Sequence, residues 1–146
     1  MSAPYPFEDR SALRLVGWSV PASNATPELL GAHWQRIYAE DLASQVLGRL
    51  SRVVHAVYSD YEGDHTKPYV FFLGYPVSDD APVPDGFDVR ELPAGPYARI
   101  DAVGEQPGAL VEAWMGIWSS GLERTFQMDY EVHDPDTPER VRIYVR

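Results

Sequence analysis

The chain has 146 residues, 45% hydrophobic and 12% aromatic, with 22 acidic against 12 basic side chains and a formal charge of −10. This suits one compact domain and excludes a disordered chain, while the acidity disfavours a phosphate backbone as partner, so no direct nucleic-acid binding is expected. The lack of cysteine removes disulfides, thiolate metal sites and thiol nucleophiles, and without a span-length apolar run or a signal-peptide start a cytoplasmic protein with no membrane association is expected.

A first strand is predicted from Leu13 to Val20, ended by Pro21. Thr26 and Pro27 then read as the N-cap and first position of a helix, with Leu30, Trp34, Ile37 and Tyr38 on one face and an end at or beyond Ala39. Strands follow at Val53 to Ser59 and Tyr69 to Tyr75. The proline-rich stretch Pro76 to Gly86 reads as a connection between two halves of one domain. Residues 1–75 hold eight acidic and six basic side chains, and residues 76–146 fourteen and six. A strand at Phe87 to Leu92, a turn at Pro93-Ala94-Gly95-Pro96 and a strand at Tyr97 to Val103 come next. Pro107 opens a second helix with an apolar stripe of Leu110, Val111, Trp114, Ile117 and Trp118, and Gly121 stands where a C-terminal glycine cap belongs. Strands at Phe126 to Val132 and Arg140 to Val145 end the chain; in the last, Val141, Ile143 and Val145 alternate with Arg140, Arg142 and Tyr144.

This order repeats itself. Trp34-Gln35-Arg36-Ile37-Tyr38 on the first helix matches Trp114-Met115-Gly116-Ile117-Trp118 on the second, and Asp60-Tyr61-Glu62 after the first helix matches Asp129-Tyr130-Glu131 after the second. A duplicated β-α-β-β unit, with approximate repeats at 13–77 and 87–146, is therefore expected to fold as an α+β domain. Its sheet would be antiparallel with both helices on one side, leaving a groove on the pseudo-twofold axis.

Phosphate-loop, dinucleotide and nucleophile-elbow motifs are all missing. The histidines form no His-x-x-x-His pair, and Asp60 to His65 lacks the alternation and distal glutamate of a calcium loop, so no metal or cofactor is expected. The aromatics carry more information. A core this rich in tyrosine must find partners for many hydroxyls, whereas rings lining a groove offer their faces to a ligand and their polar tips to solvent. Strand alternation puts Asp129, Glu131 and His133 on one face and Tyr130 and Val132 on the other, leaving open whether Glu131 faces solvent or the groove. In the groove, a carboxylate among rings would select flat lipophilic cations.

The segments Ala32 to Tyr38, Val57 to Thr66, Leu92 to Tyr97, Ala113 to Trp118, Asp129 to Glu131 and Val141 to Val145, taken in order, resemble the GyrI-like effector-binding domain. Tyr61-Glu62-Gly63-Asp64-His65-Thr66 is most similar to its stand-alone, integron-associated branch. The resemblance implies a central pocket for hydrophobic, often cationic drugs or dyes. It places the cation-contacting carboxylate at Glu131 and aromatic walls at Trp34, Tyr58, Phe71, Tyr97, Trp114 and Tyr144. Many relatives follow a helix-turn-helix; the twelve residues before Leu13 are too few for one, so no DNA-binding domain is expected. The family often has an aromatic two residues after the glutamate, where this chain has His133; imidazole titrates near 6.5, so its protonation would weaken cation binding.

The expected function is non-catalytic binding of a hydrophobic cationic small molecule, as a ligand sink or as a sensor acting through a separate regulator protein or as a homodimer. The alternative is a hydrolase of strained, cyclopropane-bearing alkylating natural products, in which Glu131 with Tyr58 or Tyr97 would orient or deprotonate water. A protein-interaction module is a third reading.

Overall fold

Local chemistry sets most element boundaries in the computed structural model, which describes residues 5–64, 66–122 and 124–146. His65, the last residue of the segment compared above with a calcium loop, lies outside them. The described residues form β1 (Phe7–Arg10), β2 (Leu13–Ala22), α1 (Pro27–Ala39), α2 (Leu42–Gln45), β3 (Val54–Ser59), β4 (Tyr69–Val77), β5 (Asp88–Leu92), β6 (Gly95–Val103), α3 (Gly108–Ser119), β7 (Met128–His133) and β8 (Arg140–Val145). Pro27 opens α1 as expected, but the Thr26 hydroxyl bonds the Ser23 carbonyl rather than a free helix N–H. Gly121, with φ of 75°, caps the end of α3 from the left-handed region.

Several boundaries differ from expectation: β4 runs to Val77, two residues into the expected connection, and β6 begins at Gly95, inside the expected turn. β2 runs through Pro21 because β5 pairs only with Leu13 to Gly17, so the missing N–H falls on an unpaired strand edge. β7 begins two residues late because Phe126 has φ of 52°, outside the extended region. β1 was not anticipated at all; four residues are too few to show a period.

All eight strands form one antiparallel sheet in the order β1-β6-β8-β7-β3-β4-β2-β5. Exchanging β1 with β5, β2 with β6, β3 with β7 and β4 with β8 leaves this order unchanged, with β3 and β7 adjacent at its centre. The tripeptide matches are not equivalent in structure: Asp60 lies just past the end of β3, whereas Asp129 to Glu131 sits inside β7.

Two connections of two residues each, Ser11-Ala12 and Pro93-Ala94, join strands at opposite ends of this order. Such links span no more than roughly 10 Å, so the sheet must curl until its ends approach. The register shows how: Phe7↔Ala98 through Arg10↔Gly95 and Leu13↔Leu92 through Gly17↔Asp88 continue one another without a slip. A single bent ribbon closes the curl.

The curl has two apolar faces. One is covered by α1, α2 and α3, over Val16, Phe71 and Leu73 on one half and Ala98, Ile100 and Ile143 on the other. The face inside the curl has no helix over it and is filled by Leu15, Val57, Phe72, Leu92, Tyr97, Tyr130 and Tyr144. Arginines seal it, with the Arg10 guanidinium 4.2 Å from the Tyr144 ring centre and that of Arg90 5.3 Å from Phe72. Among the described residues no helix is long and apolar enough to cross a membrane.

Candidate functional site

Between α1 and α3, over the central strands, lies a cavity of about 1030 Å³. Each helix contributes residues at spacings of three and four: Pro27, Leu30, Gly31 and Trp34 from the first, and Leu110, Val111, Trp114, Met115 and Trp118 from the second. The apolar stripe of α3 is wider than packing on the sheet needs. Trp114 and Ile117 are buried, whereas Val111 and Met115 remain more than half exposed at the mouth.

Five of the expected site residues meet here: Trp34, Tyr58, Phe71, Trp114 and Glu131 all line the cavity. Tyr58 is their hub, its ring centre 5.2 Å from Phe71 and 5.3 Å from both Trp114 and Tyr69. Tyr97 and Tyr144 are not part of it. Ala98 and Ile100 in β6, and Ile143 and Val145 in β8, face the helices, so alternation turns Tyr97 and Tyr144 into the curl. There Tyr97 donates its hydroxyl proton to the Pro93 carbonyl at 2.6 Å. The hydrolytic reading thereby loses Tyr97, and of its three residues only Glu131 and Tyr58 are together. The expectation that the rings mainly line a groove is also corrected: they divide between the cavity and the curl.

Glu131 is 1% exposed. Its Oε2 accepts from the Tyr58 hydroxyl at 2.6 Å and from the Trp114 indole N–H at 2.7 Å, and Oε1 lies 2.7 Å from His133 Nε2. An ionised carboxylate only accepts, so Nε2 carries the hydrogen there. Among the described residues no lysine or arginine pairs with Glu131. Burial, then the charge of Glu131, push the Tyr58 phenol well above its ordinary range, which keeps it a donor.

Asp129, two residues earlier on the same face, is fully buried but compensated. It accepts from Arg124 Nη2 and the Tyr61 hydroxyl, each at 2.6 Å, and from the Arg146 backbone N–H at 3.1 Å. The Arg124 guanidinium is also held between rings, 4.4 Å from the centre of Phe126 and 5.6 Å from Trp114. Arg124 escaped the sequence reading because it lies in a loop, where no period marks it. Tyr61 and Tyr69, which also line the cavity, were visible only as part of the aromatic excess.

The structure is similar to that of an integron cassette protein from Vibrio cholerae, with a TM-score of 0.76 at 19% identity over 96% of this chain and 93% of that one. A second solved structure, of SAV2435 bound to tetraphenylphosphonium, gives a TM-score of 0.76 at 18% identity over 97% and 92% of the two chains. At these identities the likeness establishes the shared fold. In sequence, YobU of Bacillus subtilis (strain 168), which carries a provisional name as a transcriptional regulator protein, is 30% identical over 144 residues and 90% of each chain. Residues 10–145 match the family described as integron-associated effector binding protein. A curled antiparallel sheet with its cavity between paired helices, read with that match, makes the chain a member of the integron-associated effector-binding family.

Proposed function

We propose that the cavity binds bulky hydrophobic cations, with Glu131 as counter-charge and Trp34, Tyr58, Phe71 and Trp114 as walls. One observation carries this reading: a buried carboxylate beside a large aromatic cavity is held by a phenol, an indole and an imidazole and has no arginine or lysine partner among the described residues. Hydrogen bonds compensate part of its lost hydration but leave its charge in place. An arriving cation would be attracted by that charge and by the ring faces, each good face adding about 0.5–2 kcal/mol. The adjacent Asp129 already has its arginine and is not available in the same way. A relative in fold that was solved with tetraphenylphosphonium supports a cation of that class. The protein would then act as a sink or a sensor for such molecules.

Titration with tetraphenylphosphonium, followed by quenching of the cavity tryptophans, tests this. Glu131→Gln preserves the shape and most hydrogen bonds while removing the charge. It should weaken the cation at least about tenfold, some 1.4 kcal/mol, and leave a neutral tetraphenyl analogue within about twofold. Equal weakening of both ligands, or of neither, would remove Glu131 from this role.

A further inference from the structure

A second cavity, of about 400 Å³, adjoins the first, and Trp34, His133, Pro138 and Val141 line both. The Trp34 and His133 rings pack with centres 4.6 Å apart as part of the partition. The second cavity is richer in arginine than the first. Three arginines line it from separate places in the chain: Arg49 and Arg52 ahead of β3, and Arg140 at the start of β8. Among the described residues none of the three pairs with a carboxylate. Arg49 donates to the Ser51 carbonyl at 3.2 Å and stands 5.6 Å from the Tyr75 ring centre. Two acids, Asp41 and Asp134, also line it and keep their charge, so three guanidinium groups stand against two carboxylates. Asp41 accepts from the Ser44 hydroxyl at 2.5 Å, and Asp134 from the Asp136 backbone N–H at 2.9 Å. A chain of formal charge −10 has thus gathered three guanidinium groups, none with a carboxylate partner among the described residues, around one hollow, with Trp34, Tyr38 and Tyr75 as flat walls.

We infer that this hollow is a second ligand site, for a small aromatic molecule bearing an oxyanion, carboxylate or phosphate. Guanidinium groups recognise such oxyanions with paired N–H donors, and the rings would take the planar remainder by stacking. The position of Tyr38 fits this use: it is 64% exposed at the end of α1 and stacks on Trp34 at 6.2 Å, an open ring in the lining of the same hollow. The site uses the arginines and outer rings, so it stands whether or not the larger cavity binds cations.

Calorimetric titration of the full chain at low ionic strength, with phenyl phosphate, benzoate, inorganic phosphate and benzyl alcohol as separate ligands, tests the inference. Phenyl phosphate or benzoate should bind saturably, the better of them showing which oxyanion is preferred, with inorganic phosphate weaker and benzyl alcohol silent. The double variant Arg52→Gln/Arg140→Gln alters two exposed side chains and should weaken the bound anion at least tenfold. Lys67→Gln/Arg142→Gln, which removes the same charge from exposed positions outside the cavity, should change it less than twofold. Three results would overturn the inference: no saturable binding of either aromatic anion, equal loss in both double variants, or inorganic phosphate binding as well as its phenyl ester.

Discussion

Glu131 shows how a buried carboxylate is tolerated with no arginine or lysine partner among the described residues. Tyr58, Trp114 and His133 each give it one hydrogen bond, and bonds to charged groups contribute about 1.5–3 kcal/mol apiece. Tyr58→Phe should therefore destabilise the fold by about that much in urea titrations at neutral pH, and the loss should shrink when Glu131→Gln is already present. Additive losses in that double-mutant cycle would mean the two side chains are not coupled. His55 makes a separate prediction. It is buried inside the curl, stacked at 6.2 Å on Tyr130, and burial pushes its pKa down to about 4. Between about 6.5, the unfolded value, and that figure, the unfolded chain binds a proton that the folded chain refuses. Stability should fall as pH falls through this window, by up to about 1.4 kcal/mol per unit. His33, whose pKa burial also lowers, adds in the same direction. In His55→Asn the stability difference between pH 7 and pH 4.5 should be smaller than in wild type by about 2 kcal/mol; an unchanged difference would show that His55 does not resist protonation.

Among the strands, β2 and β4 bring two glycines together where Gly17 pairs with Gly74. A Cβ on Gly17 would lie 2.0 Å from the Leu73 carbonyl oxygen and 2.6 Å from the Gly74 Cα, both backbone atoms that cannot swing aside. Gly17→Ala should cost more than about 2 kcal/mol. Gly31, in the middle of α1 with nothing within 4 Å of an added Cβ, supplies the contrast: Gly31→Ala should raise stability by about 0.5–1 kcal/mol through helix propensity. Chemical denaturation of both variants checks the pair, and a tolerated Gly17→Ala would contradict the close approach. Helices α1 and α3 were legible because their apolar residues keep a period of three to four and their ends carry proline or glycine. The strands that a one-residue shift would expose to solvent, such as β8, were equally plain. The ribbon of β1 with β6 was not, because what holds β1 is a partner some ninety positions away, Phe7 opposite Ala98.

The long-range field of a −10 chain and the local charge of Glu131 should act on different steps of ligand capture. Exposed charge steers encounter and is screened by salt, whereas a buried carboxylate is screened little. Raising ionic strength from about 20 to about 300 mM should slow association of tetraphenylphosphonium severalfold in stopped-flow fluorescence while changing its dissociation less than about twofold. A change confined to dissociation would place the dominant charge effect in the bound complex.

The sequence by itself determined the positions of α1 and α3, most strand positions and the duplicated order, because each leaves a local mark: a period, a cap or a repeated tryptophan. It left open which way Glu131 faces, and only the tertiary structure put it beside the cavity. It could not divide the aromatics. Trp34, Tyr58, Phe71 and Trp114 line the cavity while Tyr97 and Tyr144 fill the curl, and nothing in a tyrosine's neighbours along the chain says that the far side of the sheet is closed. That closure exists only once two short connections draw the ends of the sheet together. The same folding brings Arg49 and Arg52 to Arg140 across half the chain, a gathering of charge that depends on tertiary contact and leaves no trace in local pattern.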